Sequence, residues 1–200
     1  MRRSDPSSRM ARPATETRRA LQPLTSALDA HLALRMAGGA ILCVSGGSDS
    51  RALLESAARW PGRFSGELVV ASVDHGTRAS SAGEARAVLA RAGALGFTAH
   101  LLAVAPSSMG EGALRQARYT ALIALARRLG LGALVVAHHA GDVAEGAVLS
   151  WLGVGGGPGG AAPPRVTDHE GIAVVRPFLE LPRGTLRTAP PIAKARDFLP

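Results

Sequence analysis

Cysteine and lysine are almost missing from this chain: Cys43 is its single cysteine and Lys194 its single lysine among 200 residues. One thiol cannot build a disulfide framework, a CxxC zinc site or a redox pair, so a reducing, cytoplasmic setting is expected. One lysine, far from any glycine-rich turn, excludes the GxxxxGKS or GxxxxGKT phosphate loop and with it a Walker-type ATPase. Aromatic residues make up only 4%, so a core has to be assembled mainly from Ala, Val and Leu. No apolar run reaches the ~18 to 20 residues that span a bilayer, and the N-terminus lacks the apolar segment of a secretory signal, so no membrane association is expected.

Arginine is what the chain has in excess, and it supplies nearly all of a formal net charge of +8. That balance suits a polyanionic partner, RNA first among them, and is equally compatible with a solvated basic surface. Trp60, Trp151 and Tyr119 are not interleaved with arginines in the sequence as a single-strand stacking platform would be. Arg2, Arg3, Arg9, Arg12, Arg18 and Arg19 stand among Ser, Pro and Thr, so residues 1–21 are expected to form a disordered basic tail. Asp5, Pro6, Pro13 and Glu16 argue against an amphipathic organellar targeting helix there. The remaining length suits one domain over residues 22–190, with 191–200 as a C-terminal tail.

Beyond the tail, helical and strand patterns alternate. Leu24–Ala37 has helical spacing, and Ala40–Val44 is an apolar strand. Leu68–Val73, His100–Val104 and Ala133–Ala137 read as further strands, and Ile172–Val175 as a last strand at an edge. Between them, helices are predicted over Arg51–Trp60, Ser81–Leu95, Gly112–Leu129 and Asp142–Leu152, the second opened by the capping box Ser81 to Glu84. Repeated strand–helix units force an α/β fold, a Rossmann-like parallel sheet with helices on both faces, whose ligands sit at the carboxyl ends of the strands. Gly153–Pro164 reads as a flexible loop long enough for a substrate lid.

Three polar segments follow strand ends and converge on that rim. Ser45-Gly46-Gly47-Ser48-Asp49-Ser50 joins the first strand to a helix: the two glycines permit a sharp turn, and the hydroxyls and first-turn amides can cradle phosphate. Asp74 and His75 lie in Val73-Asp74-His75-Gly76-Thr77-Arg78, a polar turn able to face a nucleotide. His138 and His139 precede Asp142 and Glu145, two carboxylates at i and i+3 suited to Mg²⁺ or an ammonium group, although capping of the helix explains Asp142 as well. Adjacent histidines on an extended segment diverge, so one is expected to face the site and the other the interior. Glu111, Arg115 and Arg118 share one helical face, where the two guanidinium forks can clamp a polyphosphate; by spacing alone they equally form a surface stripe.

The SGGSDS run resembles the signature of the PP-loop ATP pyrophosphatases. With VDHGTR, EGALRQARY at 111–119, AHHAGDVAEG at 137–146 and VVRPFLELPRGTL at 174–186, the chain is similar to the catalytic domain of the tRNA(Ile)-lysidine synthetases within that group. The resemblance implies a ligase: ATP adenylates the C2 oxygen of the wobble cytidine of tRNA(Ile), and free L-lysine then displaces AMP. It implies ATP contacts from Ser45, Gly46, Gly47, Ser48, Asp49, Ser50, Asp74 and His75, and catalytic roles for Asp49, Arg115, Arg118, His138 and His139. Asp142 and Glu145 would bind lysine, and Asp49 would hold Mg²⁺. Gly141, Val143 and Gly146 depart from the family pattern HHxDDQxET, which puts one Mg²⁺ or helix-start contact in question. The family continues with tRNA-binding domains beyond the point matching Pro200; a homodimer, or a partner chain that supplies such domains, is expected. The alternatives are another PP-loop RNA-modifying ligase, or a non-catalytic nucleotide- or RNA-binding module.

Overall fold

A computed structural model describes residues 7–32, 38–60, 66–74, 76, 81–104, 110–142 and 164–187. Helix α1 (Ser7–Leu32) is followed by β1 (Ala40–Cys43), α2 (Ser48–Arg59), β2 (Leu68–Asp74), α3 (Ser81–Ala94) and β3 (Thr98–Ala103). Next come α4 (Glu111–Leu129), β4 (Ala133–Val135), β5 (Val166–His169), β6 (Ile172–Val175) and the single-turn α5 (Arg183–Leu186). All six strands join one sheet in the order β3-β2-β1-β4-β6-β5, parallel except for β5, which pairs antiparallel with β6. The expected Rossmann-like α/β class is the observed one.

Strands buried on both faces read as unbroken apolar runs, and each face takes alternate residues. Ala40, Leu42, Val44, Val70, Ala133, Val135 and Val175 pack with Leu residues of α1 and α2 and with Val88 and Ala92 of α3. Ile41, Val69, Ala71, Leu134 and Val174 face the other way, against Leu122, Ile123, Leu125 and Ala126 of α4. Helix α4 ends where Gly130 turns left-handed at φ 69°, its N–H returning to the carbonyls of Ala126 and Arg127.

Two expectations are corrected. The first helix starts at Ser7 rather than Leu24, so residues 7–21 are helical where a disordered tail was expected. Leu21, Leu24, Leu28 and Leu32 recur every three or four residues and are all buried, an apolar stripe that extends across Pro23 into the arginine-rich segment. Trp60 Nε1 donates to Asp29 at 2.6 Å, tying α1 to the end of α2. Second, β6 is not an edge strand: it lies between β4 and β5. The edge is β5, whose Thr167, Asp168 and His169 carry too little apolar pattern to read as a strand.

The expected segments 143–152 and 153–163 and the C-terminal tail lie outside the described residues. No helix among the described residues is long and apolar enough to cross a membrane.

Candidate functional site

Strand β1 has β2 on one side and β4 on the other, so the connections diverge at its carboxyl end and leave a crevice there. The crevice is a cavity of ≈ 390 Å³. Its walls include Ser45, Gly47, Asp49 and Ser50 from the loop, Glu84 from α3, Arg118 and Tyr119 from α4, and His138 and Asp142 beyond β4. Cys43 and Ser72 also line it, and the buried Ser72 hydroxyl has no hydrogen-bond partner among the described residues.

The loop is held by its own serines. Ser50 Oγ accepts the Ser45 N–H at 3.2 Å and donates to the Gly47 carbonyl at 3.0 Å, closing the turn across the first residues of α2. Gly46 sits at φ +88°, a conformation that favours glycine, whereas Gly47 is extended at φ −67° and caps α2 with no side chain to satisfy the helix amides. Those amides remain available to an anion. Asp49, in the first turn, accepts the Ser48 hydroxyl at 3.1 Å.

His139 is buried and forms the cap of the helical turn at residues 140–142. Its Nδ1 accepts the Gly141 N–H at 2.9 Å and the Asp142 N–H at 3.3 Å, while Asp142 Oδ2 accepts the His139 N–H at 2.7 Å. This is a reciprocal capping box with histidine in the capping position. With its Nδ1 accepting these amides, its Nε2 is buried 3.5 Å from Asp49 Oδ2 and makes no hydrogen bond among the described residues. Gly141 is what makes room for the ring: a Cβ there would meet His139 Cε1 at 2.6 Å and Nδ1 at 2.9 Å.

His138 faces the cavity, and its Nδ1 accepts from Nε of Arg176 at 3.2 Å. Burial, reinforced by the Arg176 charge, brings the His138 pKa down to about 4, so near neutral pH it is an uncharged ring presenting Nε2–H. Arg176 is buried and also donates to the Pro164 carbonyl and to Thr167 Oγ1, at 2.9 and 3.1 Å. Burial pushes the Cys43 thiol up to about 12, so it is a neutral part of the wall.

Of the residues singled out from the sequence, Ser45, Gly47, Asp49, Ser50, Arg118, His138 and Asp142 line this one cavity. His139 stands behind it against Asp49, and Gly46 and Ser48 shape the loop. Arg115 does not join Arg118 in the cavity wall: its guanidinium lies 5.4 Å from the Tyr119 ring centroid, beside a second hollow. Asp74 is not part of the wall; its Oδ1 accepts the Gly76 N–H at 2.9 Å in a local turn. His75 and Glu145 lie outside the described residues. Sequence reasoning assigned no role to Arg176, Tyr119 or Ser72; Arg176-Pro177, directly after a strand, was the available signal for the first. Among the described residues no group of three or more His, Cys, Asp and Glu side chains is placed to hold a metal. Asp49, in the first turn of α2, is a carboxylate of the kind that binds Mg²⁺ together with substrate phosphates.

A family model described as a PP-loop domain matches residues 15–195. The chain is 45% identical over 163 residues to a tRNA(Ile)-lysidine synthase of Methylobacterium nodulans, covering 80% of this chain and 47% of that protein. The corresponding synthase of Bradyrhizobium diazoefficiens is 37% identical over 158 residues, 76% of this chain and 44% of its own. The chain thus spans about half the length of these curated relatives. Among solved structures it is similar to the U34-tRNA thiolase NcsA from Methanococcus maripaludis, with a TM-score of 0.65 at 13% identity, covering 92% of this chain and 63% of that one. NMN synthetase from Francisella tularensis superposes with a TM-score of 0.51 at 14% identity over 88% of this chain and 68% of its own. At such identities these two likenesses concern the fold alone.

Proposed function

The chain belongs to the PP-loop domain family, and on that premise we propose that it carries out the ATP-dependent chemistry of tRNA(Ile)-lysidine synthesis. The observation that carries this reading is the convergence of the Ser45–Ser50 loop, Arg118, His138 and Asp142 on one cavity at the ends of β1, β2 and β4. The identity to lysidine synthases over most of the chain supports it. ATP binds with its phosphates on the first-turn amides of α2 and beside Arg118, whose guanidinium meets no acid among the described residues. Asp49 would hold Mg²⁺, which would supply charge neutralisation on the phosphates.

The cytidine O2 attacks the α-phosphorus, the bond to the β-phosphate oxygen breaks, and pyrophosphate leaves with the negative charge. His138 Nε2–H and Arg118 donate to oxygens that gain charge as this happens. The Asp142 carboxylate draws the lysine ammonium to the rim, with Glu145 as its expected companion. The amine, having lost a proton to solvent, attacks C2, and AMP departs with the C2 oxygen. His139, buried beside Asp49, caps the turn that carries Asp142.

Incubation with ATP, Mg²⁺, lysine and unmodified tRNA(Ile), followed by nucleoside mass analysis, tests this. Lysidine is expected, with AMP and pyrophosphate in equal amounts. Absence of lysidine would contradict it, and incorporation of sulfur when a sulfide donor is added would favour a thiolase, which one cysteine with its thiol pKa pushed up to about 12 ill suits.

A further inference from the structure

On the far side of Tyr119 from the nucleotide cavity lies a second hollow, of ≈ 260 Å³, between α4 and the β5–β6 hairpin. Tyr119 lines both spaces, so one aromatic ring is the partition between them. In the hollow the ring stacks on His169, with centroids 5.6 Å apart and planes 13° from parallel, and Arg115 rests 5.4 Å from the same ring. His169 and Arg115 are both exposed.

The arrangement is braced. His169 precedes the hairpin turn Glu170-Gly171, where both residues have positive φ, 56° and 84°. Glutamate is a poor residue for that conformation, and Asn or Gly would be the ordinary choice. Arg127 compensates by donating to the Glu170 carbonyl at 2.9 Å and to its carboxylate at 2.8 Å, which pins the turn to α4. The clamp holds His169 over Tyr119 and neutralises the one acidic group of the hollow, leaving Arg115 as its unpaired charge among the described residues.

We propose that this hollow is a docking subsite for an unstacked nucleotide of single-stranded RNA, next in the strand to the nucleotide that reacts. This deepens the functional reading above and rests on RNA being the substrate. Flat exposed partners, an imidazole and a guanidinium, suit the face of a base and need no particular base identity, and the arginine attracts the neighbouring phosphate. A paired stem cannot use the site, because its bases are already stacked on one another. The adjoining base stands in the hollow while the reacting base passes Tyr119 into the cavity.

Fluorescence anisotropy of a labelled RNA hairpin with an unpaired loop, against a blunt duplex of the same stem, tests the proposal on the full chain. The hairpin is expected to bind more tightly than the duplex. His169→Ala should weaken hairpin binding about 5- to 150-fold, leave duplex binding and ATP binding unchanged, and be rescued by His169→Phe, which keeps a ring. Equal binding of hairpin and duplex by the unsubstituted chain, or unchanged hairpin affinity in His169→Ala, would overturn the subsite. In the unsubstituted chain, absence of loop discrimination with ATP cleavage intact counts against the subsite alone; absence of ATP cleavage with loop discrimination intact counts against the proposed reaction alone.

Discussion

Gly141 shows how one missing side chain can set a site. Because no Cβ stands there, the His139 ring fits against the backbone, caps the turn and lies beside Asp49, with Nε2 3.5 Å from Oδ2. Gly141→Ala should push the ring out of its cap, costing about 1 kcal/mol of stability and a larger share of ATP cleavage. Thermal unfolding and pyrophosphate release on the same sample check this; full activity would show that Asp49 does not depend on His139. His138 carries the pH dependence. Its folded pKa, about 4, lies below the ordinary 6.5, so the unfolded chain binds the extra proton between these values. Stability from this group is complete above about pH 6.5 and falls as pH drops towards 4, by on the order of 3 kcal/mol at most. Urea unfolding of His138→Gln should lose that part of the acid slope. The split roles of the two histidines were half legible: adjacent residues on extended chain must diverge, but which ring faces the cavity depends on Arg176, thirty-eight positions after His138 in the sequence.

At the scale of elements, the loop before α2 was readable because its chemistry is local. Glycines, hydroxyls and a helix start occupy six consecutive positions, and the structure assigns the left-handed turn to Gly46 alone. Gly46→Ala is therefore expected to weaken ATP binding by at least tenfold through backbone strain, whereas at Gly47 a Cβ meets only Ser45 Oγ at 3.7 Å within the protein. If Gly47→Ala also abolishes binding, the loss reports contact with the nucleotide and not with the fold; equilibrium binding of ATP to both variants separates the cases. The packing of α2 on α3 was not readable. Glu55 is buried, and its ion pair with Arg91, at 2.7 Å, joins two helices thirty-six residues apart, with Arg59 as a second partner. Burial alone would raise the Glu55 carboxyl, but hydrogen bonds from Arg91 and Arg59 outweigh it and hold the group below its usual range. Arg91→Met should cost about 1.5 to 3 kcal/mol by leaving the buried carboxylate with Arg59 alone, and Glu55→Met with Arg91→Met should recover most of that. Chemical denaturation of the single and double variants checks it. The β5 edge was missed for the same reason: its stability comes from tertiary partners, not from a local pattern.

For the whole molecule, the sheet order puts the Ser45–Ser50 loop, α4 and the residues after β4 around one crevice, with the stacked groove immediately behind Tyr119. The net charge of +8 could be read from composition, but its placement could not; the fold brings His169 and Arg115 onto Tyr119 although the sequence shows no interleaving of aromatics and arginines. The central claim is that this crevice cleaves ATP between its α and β phosphates in order to activate RNA. The most direct measurement is chromatography of ATP labelled at the α-phosphate after incubation with the chain, Mg²⁺ and tRNA(Ile). Labelled AMP is the expected product, together with adenylated tRNA when lysine is withheld, and both are expected to depend on tRNA and to disappear in Asp49→Ala. Labelled ADP, or ATP left intact while tRNA is bound, would contradict the account.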